Sequence, residues 1–207
     1  MPPRKVLTAA ELQAELASDP EFQERKRKRD AELRARQEYY EESERPIVDE
    51  LRRSGFNVAS VWDFVNDKRP TPALAAQILL DHLPLQYPDR VKEGIGRALA
   101  VSQPHEGWKT LLRAFEQNPD QSTLGSKFAL GLALAAATNR IVLDDVVRLV
   151  RDPVHGEARL PLLWALKRLG DSQGLDVLRE QATDPLIGRE ARRVLRSKSA
   201  SPTESRN

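Results

Sequence analysis

The sequence predicts an all-α protein, an α-solenoid of paired helices preceded by a charged helical arm. Three observations lead there. In "GWKTLLRAFEQN", Trp108, Leu111, Leu112 and Phe115 fall at i, i+3, i+4 and i+7, one face of a helix. "PALAAQILLDHL" and "LDDVVRLVRD" follow the same rule, and no alternating run is long enough for a strand. Breakers then punctuate the chain at helix-length intervals: Pro70 and Pro72, Pro84 and Pro88, Pro104, Asn118-Pro119, Asn139, Asp152-Pro153, Gly170 and Asp184-Pro185.

Taken in order, residues 1–45 form the arm. From Thr8 to about Arg45 the chain is charged, and its large apolar residues are few: Leu12, Leu16, Phe22, Leu33, Tyr39 and Tyr40. Thr8 with Glu11 makes a capping box for a helix over 9–17, and a second helix is expected over 21–42. Residues 46–196 form the solenoid. Its expected helices span 46–54, 58–67, 72–83, 89–101, 106–117, 122–137, 141–151, 155–169, 173–182 and 186–196. Those from 58 onward pair as first and second helices, and the last is an unpaired cap. The end, "SKSASPTESRN" over 197–207, has no apolar residue larger than Ala and is expected to be disordered.

The repeat is carried by a two-part pattern. Val91-Lys92 is followed seven residues later by Ala98-Leu99; Ser126-Lys127 by Ala133-Leu134; Ala158-Arg159 by Ala165-Leu166. Ala191-Arg192 begins a fourth copy. The first positions 91, 126, 158 and 191 stand 35, 32 and 33 residues apart. A period in the thirties with two helices per unit is the mark of an α-solenoid. Small residues seven apart share a helix face and let the next helix approach, while the basic residue faces outward or pairs with a turn carboxylate.

The stretch "DPVHGEARLPLLWALKRLGD", residues 152–171, resembles a HEAT-type repeat. It has the turn Asp152-Pro153, the pair Ala158-Arg159, then Ala165-Leu166 and a closing Leu169-Gly170-Asp171. Pro161 matches the proline that kinks the first helix in many such repeats. The unit over 120–138 departs from the pattern, with Pro119-Asp120 at the turn and Ser126-Lys127 where the family prefers Val-Arg. The resemblance covers roughly residues 57–196 and implies a right-handed, armadillo-like solenoid. The layout also resembles small uncharacterised bacterial HEAT-repeat proteins with a charged N-terminal helix.

Composition excludes several classes. The 207 residues are 40% hydrophobic and 31% charged, enough for a core. No run approaches the roughly 18 apolar residues of a membrane span, and "MPPRKVLTAAELQAEL" lacks the apolar stretch of a secretory signal. The chain has no Cys, which rules out disulfides and thiolate chemistry and fits a reducing cytosol. A cytoplasmic, monomeric protein without membrane contact is expected. A net charge of +2 gives no reason to expect an acidic polymer as partner.

Catalytic, cofactor and metal sites are not expected. His82, His105 and His155 share no helix turn and read as solvent-facing or turn histidines. Ser60, Ser102, Ser122 and Ser126 sit in no strand–turn–helix context. Gly94 and Gly96 lack the third glycine of a dinucleotide fingerprint and read as close helix contacts. The run "ERKRKRDAELRAR", residues 24–36, could track phosphates. Its Glu21–Arg25, Glu24–Lys28, Asp30–Arg34 and Glu32–Arg36 spacings favour a solvated helix laced by i, i+4 pairs. Glu38, Glu41, Glu42 and Glu44 follow it and would repel a phosphate backbone. Trp62 and Trp108 read as core. Trp164 falls off the stripe of Ala158, Leu162, Ala165, Leu166 and Leu169, as an inter-repeat contact or an exposed binding aromatic.

The function expected is non-enzymatic protein binding, as a scaffold or adaptor or an immunity-like inhibitor of a partner protein. The surface lined by the second helices is extended and concave in solenoids. Its off-stripe residues are Gln77, Asp81, Lys109, Arg113, Glu116, Asp144, Arg148, Arg151, Asp176 and Glu180, and Trp164 joins them as a candidate partner contact. Their mixed signs suit a protein. The alternatives are nucleic-acid binding through the basic arm or a basic solenoid face, and HEAT-like DNA repair, for which no aromatic-plus-carboxylate constellation is found.

Overall fold

A computed structural model describes residues 8–67, 69–101, 107–119 and 125–197. His105, Ser102, Ser122 and all of the expected tail but Ser197 lie outside the described residues. Among those described there is no strand, and eleven α-helices follow one another. The chain divides into two compact units, residues 1–42 and 43–207.

In the first unit, α1 (Ala9–Ser18) opens with the expected capping box: the Glu11 amide donates to Thr8 Oγ1 at 3.3 Å, and the Thr8 amide donates to Glu11 Oε2 at 2.9 Å. Helix α2 (Pro20–Arg53) is then capped by Asp19, whose carboxylate accepts from the Glu21 and Phe22 amides. The described side chains of this unit, 8–42, are exposed or half-exposed.

The helices expected over 21–42 and 46–54 are one. Pro46 lies inside α2 and is itself exposed. It removes the donor to the Glu42 carbonyl, a loss that solvent can make good at a surface position. The second unit takes up the chain before Pro46. Glu44 is 5% exposed, and its Oε2 accepts from the Ser60 hydroxyl (3.0 Å) and the Val61 amide (3.1 Å). Ile47, Val48 and Leu51 join the core.

The remaining helices of the second unit are α3 (Trp62–Asn66), α4 (Ala73–His82), α5 (Asp89–Ala100), α6 (Trp108–Gln117), α7 (Ser126–Ala137), α8 (Leu143–Arg151), α9 (Leu160–Leu169), α10 (Ser172–Glu180) and α11 (Gly188–Arg196). The odd-numbered members pack in succession, α5 on α7, α7 on α9 and α9 on α11. Helices α4, α6, α8 and α10 pack against them, and α10 also meets α8. Three stretches expected as helix are tighter. The helix expected over 141–151 opens with a 3-10 turn at Arg140–Val142, and the segment Gln181–Thr183 ends the one expected over 173–182.

The helix expected over 155–169 divides more sharply. Residues Pro153–Arg159 form 3-10 turns broken by Gly156 at φ 52°, ψ −136°, a conformation open to glycine. Pro161 does not kink a helix; it is the second residue of α9, where its missing N–H is not needed. Gly170, at φ 65°, closes α9 in the left-handed cap. Ser197, placed in the tail by composition, instead terminates α11, its amide and hydroxyl both donating to the last carbonyls.

The periodic small residues sit at the closest approaches. Val91, Ala98, Ser126, Ala133, Ala158, Ala165 and Ala191 are all buried, none more than 6% exposed. A Cβ on Gly96 would stand 2.9 Å from the Ala129 carbonyl carbon, and one on Gly131 would stand 2.5 Å from the Ala158 carbonyl oxygen. Gly94 makes room in the same way for Val61 and Trp62. Backbone therefore meets backbone where α5 crosses α7 and α7 meets the 153–159 turns.

Two basic partners of the pattern, Lys127 and Arg159, are buried, while Lys92 is half-buried and Arg192 exposed. Lys127 is 3% exposed with its Nζ 5.5 Å from the Phe115 ring centre, and Arg159 is 1% exposed. Arg159 donates to the carbonyls of Gly156 (2.9 Å) and Val150 (3.1 Å), and its guanidinium lies 3.0 Å from the Asp184 carboxylate. That carboxylate belongs to the next Asp-Pro turn, so at Arg159 the pairing with a turn carboxylate is the alternative realised. Burial pushes the Asp184 carboxyl up, but the Ile187 and Leu186 amides together with Arg159 outweigh it and hold the group below its ordinary value.

Replacing Ala98, Ala133 or Ala165 by Leu inserts a side chain where helices touch. Each is expected to lose about 1–3 kcal/mol in urea unfolding, because a packed interior answers extra methylenes with strain. One neutral member among the three would show that the period does not mark equivalent contacts.

Candidate functional site

The ten polar residues chosen from sequence are all exposed, on α4, α6, α8 and α10. The structure brings several together. Arg148 on α8 donates to Glu116 on α6 at 2.6 Å and lies 3.6 Å from Asp145. Arg151 grips Glu180 on α10 through Nε (3.0 Å) and Nη2 (2.8 Å). Gln173 of α10 donates to Asp144 of α8 at 3.2 Å, and Gln77 to Asp81 within α4 at 2.9 Å. Asp176 pairs with Arg179, three residues on in α10. These side chains tie α6, α8 and α10 together, so their charges are largely answered before any partner arrives. Lys109 and Arg113 on α6 are exposed as well.

Trp164 stands apart on α9. It is 41% exposed, and its indole Nε1 donates to Glu190 of α11 at 2.8 Å. It is thus both an inter-helix contact and an exposed aromatic. Beside it runs a groove of about 630 Å³ across α7, α9 and α11. Phe128 and Leu132 of α7, Leu160 and Pro161 of α9, and Leu186 ahead of α11 supply apolar walls. Trp164, Arg189, Glu190 and Arg193 complete the lining. Leu186 is 54% exposed, a large apolar side chain left in water. Arg193 lies 5.8 Å over the Trp164 ring and 3.3 Å from Glu190.

Of this groove, sequence reasoning found Trp164 alone. A signal for the rest was present: Phe128 and Leu132, at i, i+4, recur 32 residues later as Leu160 and Trp164. The pair forms a second stripe beside the buried one, the arrangement a helix shows when it packs on more than one side.

The two described histidines, His82 and His155, are not solvent-facing. His82 is 7% exposed, its Nε2 2.9 Å from Glu50 Oε2 and its Nδ1 2.6 Å from the Tyr87 hydroxyl. The tautomer with Nε2–H satisfies all three, donating to Glu50 while Tyr87 donates to Nδ1. Burial and then Glu50 raise the Tyr87 phenol, which keeps its proton. This chain pins α2 to α4 and to the α4–α5 turn. Trp108 is core, donating to Asp145 at 3.0 Å. Trp62 is half-buried, with the Arg90 guanidinium 4.1 Å over its ring. Ser126 is buried and donates to Asp89, so it offers no nucleophile to solvent. No cluster of His, Asp or Glu among the described residues could hold a metal ion. No helix among them is long and apolar enough to cross a membrane.

On the basic run, one of the four expected ion pairs closes: Glu21–Arg25, at 3.4 Å and largely exposed. Asp30 lies 3.9 Å from Arg29 instead of bridging to Arg34. Exposed pairs gain too little to hold two long side chains in one geometry.

His155 packs at 4.8 Å against the Phe115 ring, 6% exposed, with its Nδ1 lacking a hydrogen-bond partner. Burial lowers its pKa and the Lys127 ammonium adds to this; the Asp152 and Glu116 carboxylates oppose it. Folding thus disfavours the protonated ring. Its contribution is intact above the ordinary value of about 6.5 and is lost as the pH falls towards the depressed folded-state value. His155→Phe is therefore expected to flatten the decline of Tm between about pH 7 and pH 5. Superimposable wild-type and variant profiles would contradict this.

No family model, curated protein or solved structure matches the chain.

Proposed function

We propose that the chain is a non-enzymatic, HEAT-like helical-repeat scaffold that binds another protein, as an adaptor or as an inhibitor of that protein. The succession α5–α7–α9–α11, with α4, α6, α8 and α10 packed against it, supports the repeat reading. The observation that carries the binding reading is the open groove beside Trp164. Its exposed Trp164 and Leu186 sit over the half-buried Phe128, Leu132 and Leu160. Contiguous apolar surface rimmed by polar groups marks interaction sites, and tryptophan is prominent among residues that dominate interface energies. The mixed-charge face of α6, α8 and α10, on the other row, offers a partner few unmet charges, because its ion pairs are already made.

A photo-crosslinking residue in place of Leu186, in the cell that natively makes the chain, tests the reading. A discrete adduct with another protein is expected, reduced at least about ten-fold by Trp164→Ala. The reading fails if no adduct forms at 186 and none at Lys109 on the opposite row.

A second reading rests on the arm. Lys26, Arg27 and Lys28 are exposed and make no ion pair among the described residues, leaving charges free for a phosphate backbone. Under protein binding, affinity for duplex or single-stranded nucleic acid stays at the weak end of about 10⁻⁴ to 10⁻⁶ M at physiological salt. Sub-micromolar binding with a steep salt slope, lost when residues 25–29 are changed to Gln, would favour the second reading instead.

A further inference from the structure

We infer that the occupant of the Trp164 groove is a peptide segment with large apolar side chains flanked by carboxylates; this rests on the protein-binding reading above. The apolar part follows from the walls, Phe128, Leu132, Leu160 and Leu186. The acidic part follows from charge. Helix α11 carries Arg189, Arg192, Arg193 and Arg196 against the single carboxylate of Glu190. That carboxylate already accepts from the Trp164 indole and from Arg193. Arg192 donates to the Ala182 carbonyl. Arg189 is exposed, lines the groove, and has no ion pair or hydrogen bond among the described residues.

A free guanidinium at the edge of an apolar groove is a fork for a carboxylate, and Arg is the residue best shaped for that role. A basic segment would meet Arg189, the unpaired arginine of the lining, as repulsion. Glu190 offsets Arg193, with which it pairs, and leaves the charge of Arg189 unanswered. The groove therefore selects on two counts: apolar side chains for the walls and at least one carboxylate for Arg189.

Selection from a phage-displayed random peptide library on the full chain, at about 150 mM salt, gives the test. Recovered peptides are expected to combine two or more large apolar residues with Asp or Glu. For one synthetic peptide from that set, Arg189→Glu should weaken binding about five-fold, an exposed attraction turned to repulsion. Exchanging the peptide's carboxylates for Lys should restore binding to the Arg189→Glu protein and not to the wild type. Peptides without acidic residues, lost on Trp164→Ala but indifferent to Arg189→Glu, would overturn this inference and leave the protein-binding reading standing. Binding that ignores Trp164→Ala altogether would overturn both. A concentration-dependent dimer in sedimentation, abolished by Trp164→Ala, would put a second copy in the groove and overturn the acidic segment.

Discussion

The second unit depends on how closely its odd-numbered helices can approach. Gly96 and Gly131 place backbone against backbone, and Ala98, Ala133 and Ala165 keep the neighbouring faces flat. Dispersion falls steeply with a gap, so helices brought this close gain contact along their whole length. The polar consequences are met locally. Thr71 donates to the Ala98 carbonyl at 2.8 Å, and Arg159 serves the Val150 carbonyl at the end of α8 and the Gly156 carbonyl in the turns that follow. Arg159 and Asp184 thus do at the turns what a cap does at a helix end, with the charge of each answered by the other.

Close approach on one side decides what is left over on another. Once the stripe of Ala129, Leu130, Ala133 and Leu134 is buried, Phe128 and Leu132 fall beside it on α7. Leu160 and Trp164 repeat that offset on α9, and α11 continues with arginines instead of apolar residues. The groove is the outcome of a row whose last helix changes chemistry. On the other row, salt bridges between α6, α8 and α10 occupy the charges. A face that looks rich in contacts by composition is therefore poorer in unmet ones.

Helix positions and the buried small residues were readable from sequence because each depends on spacing along one element. The 91, 126, 158 and 191 positions are all buried, as the period implied. What spacing could not show is three-dimensional partnership. Spacing leaves Arg159 either facing outward or pairing with a turn carboxylate, and the fold alone brings Asp184, 25 residues on, to 3.0 Å. His82 reads as a solvent-facing or turn histidine until Glu50 and Tyr87 close on it from other elements. Gly156 broke an expected helix because a single positive φ outweighs a favourable flanking pattern. Of the candidate site, Trp164 was visible as a residue off its stripe. Phe128, Leu132 and Leu160 left a trace in the 32-residue recurrence, whereas Leu186 and Arg189 come from a turn and a helix that no such spacing links to them.

The central claim is that Trp164 is held open to a partner while Trp108 serves the core. Oxidation of indoles by N-bromosuccinimide, mapped by mass spectrometry in the free chain and in the cross-linked complex, addresses it directly. The account predicts rapid oxidation at Trp164 in the free chain, protection at Trp108 in both states, and protection of Trp164 once the partner is bound. Equal oxidation of Trp164 with and without the partner would contradict it.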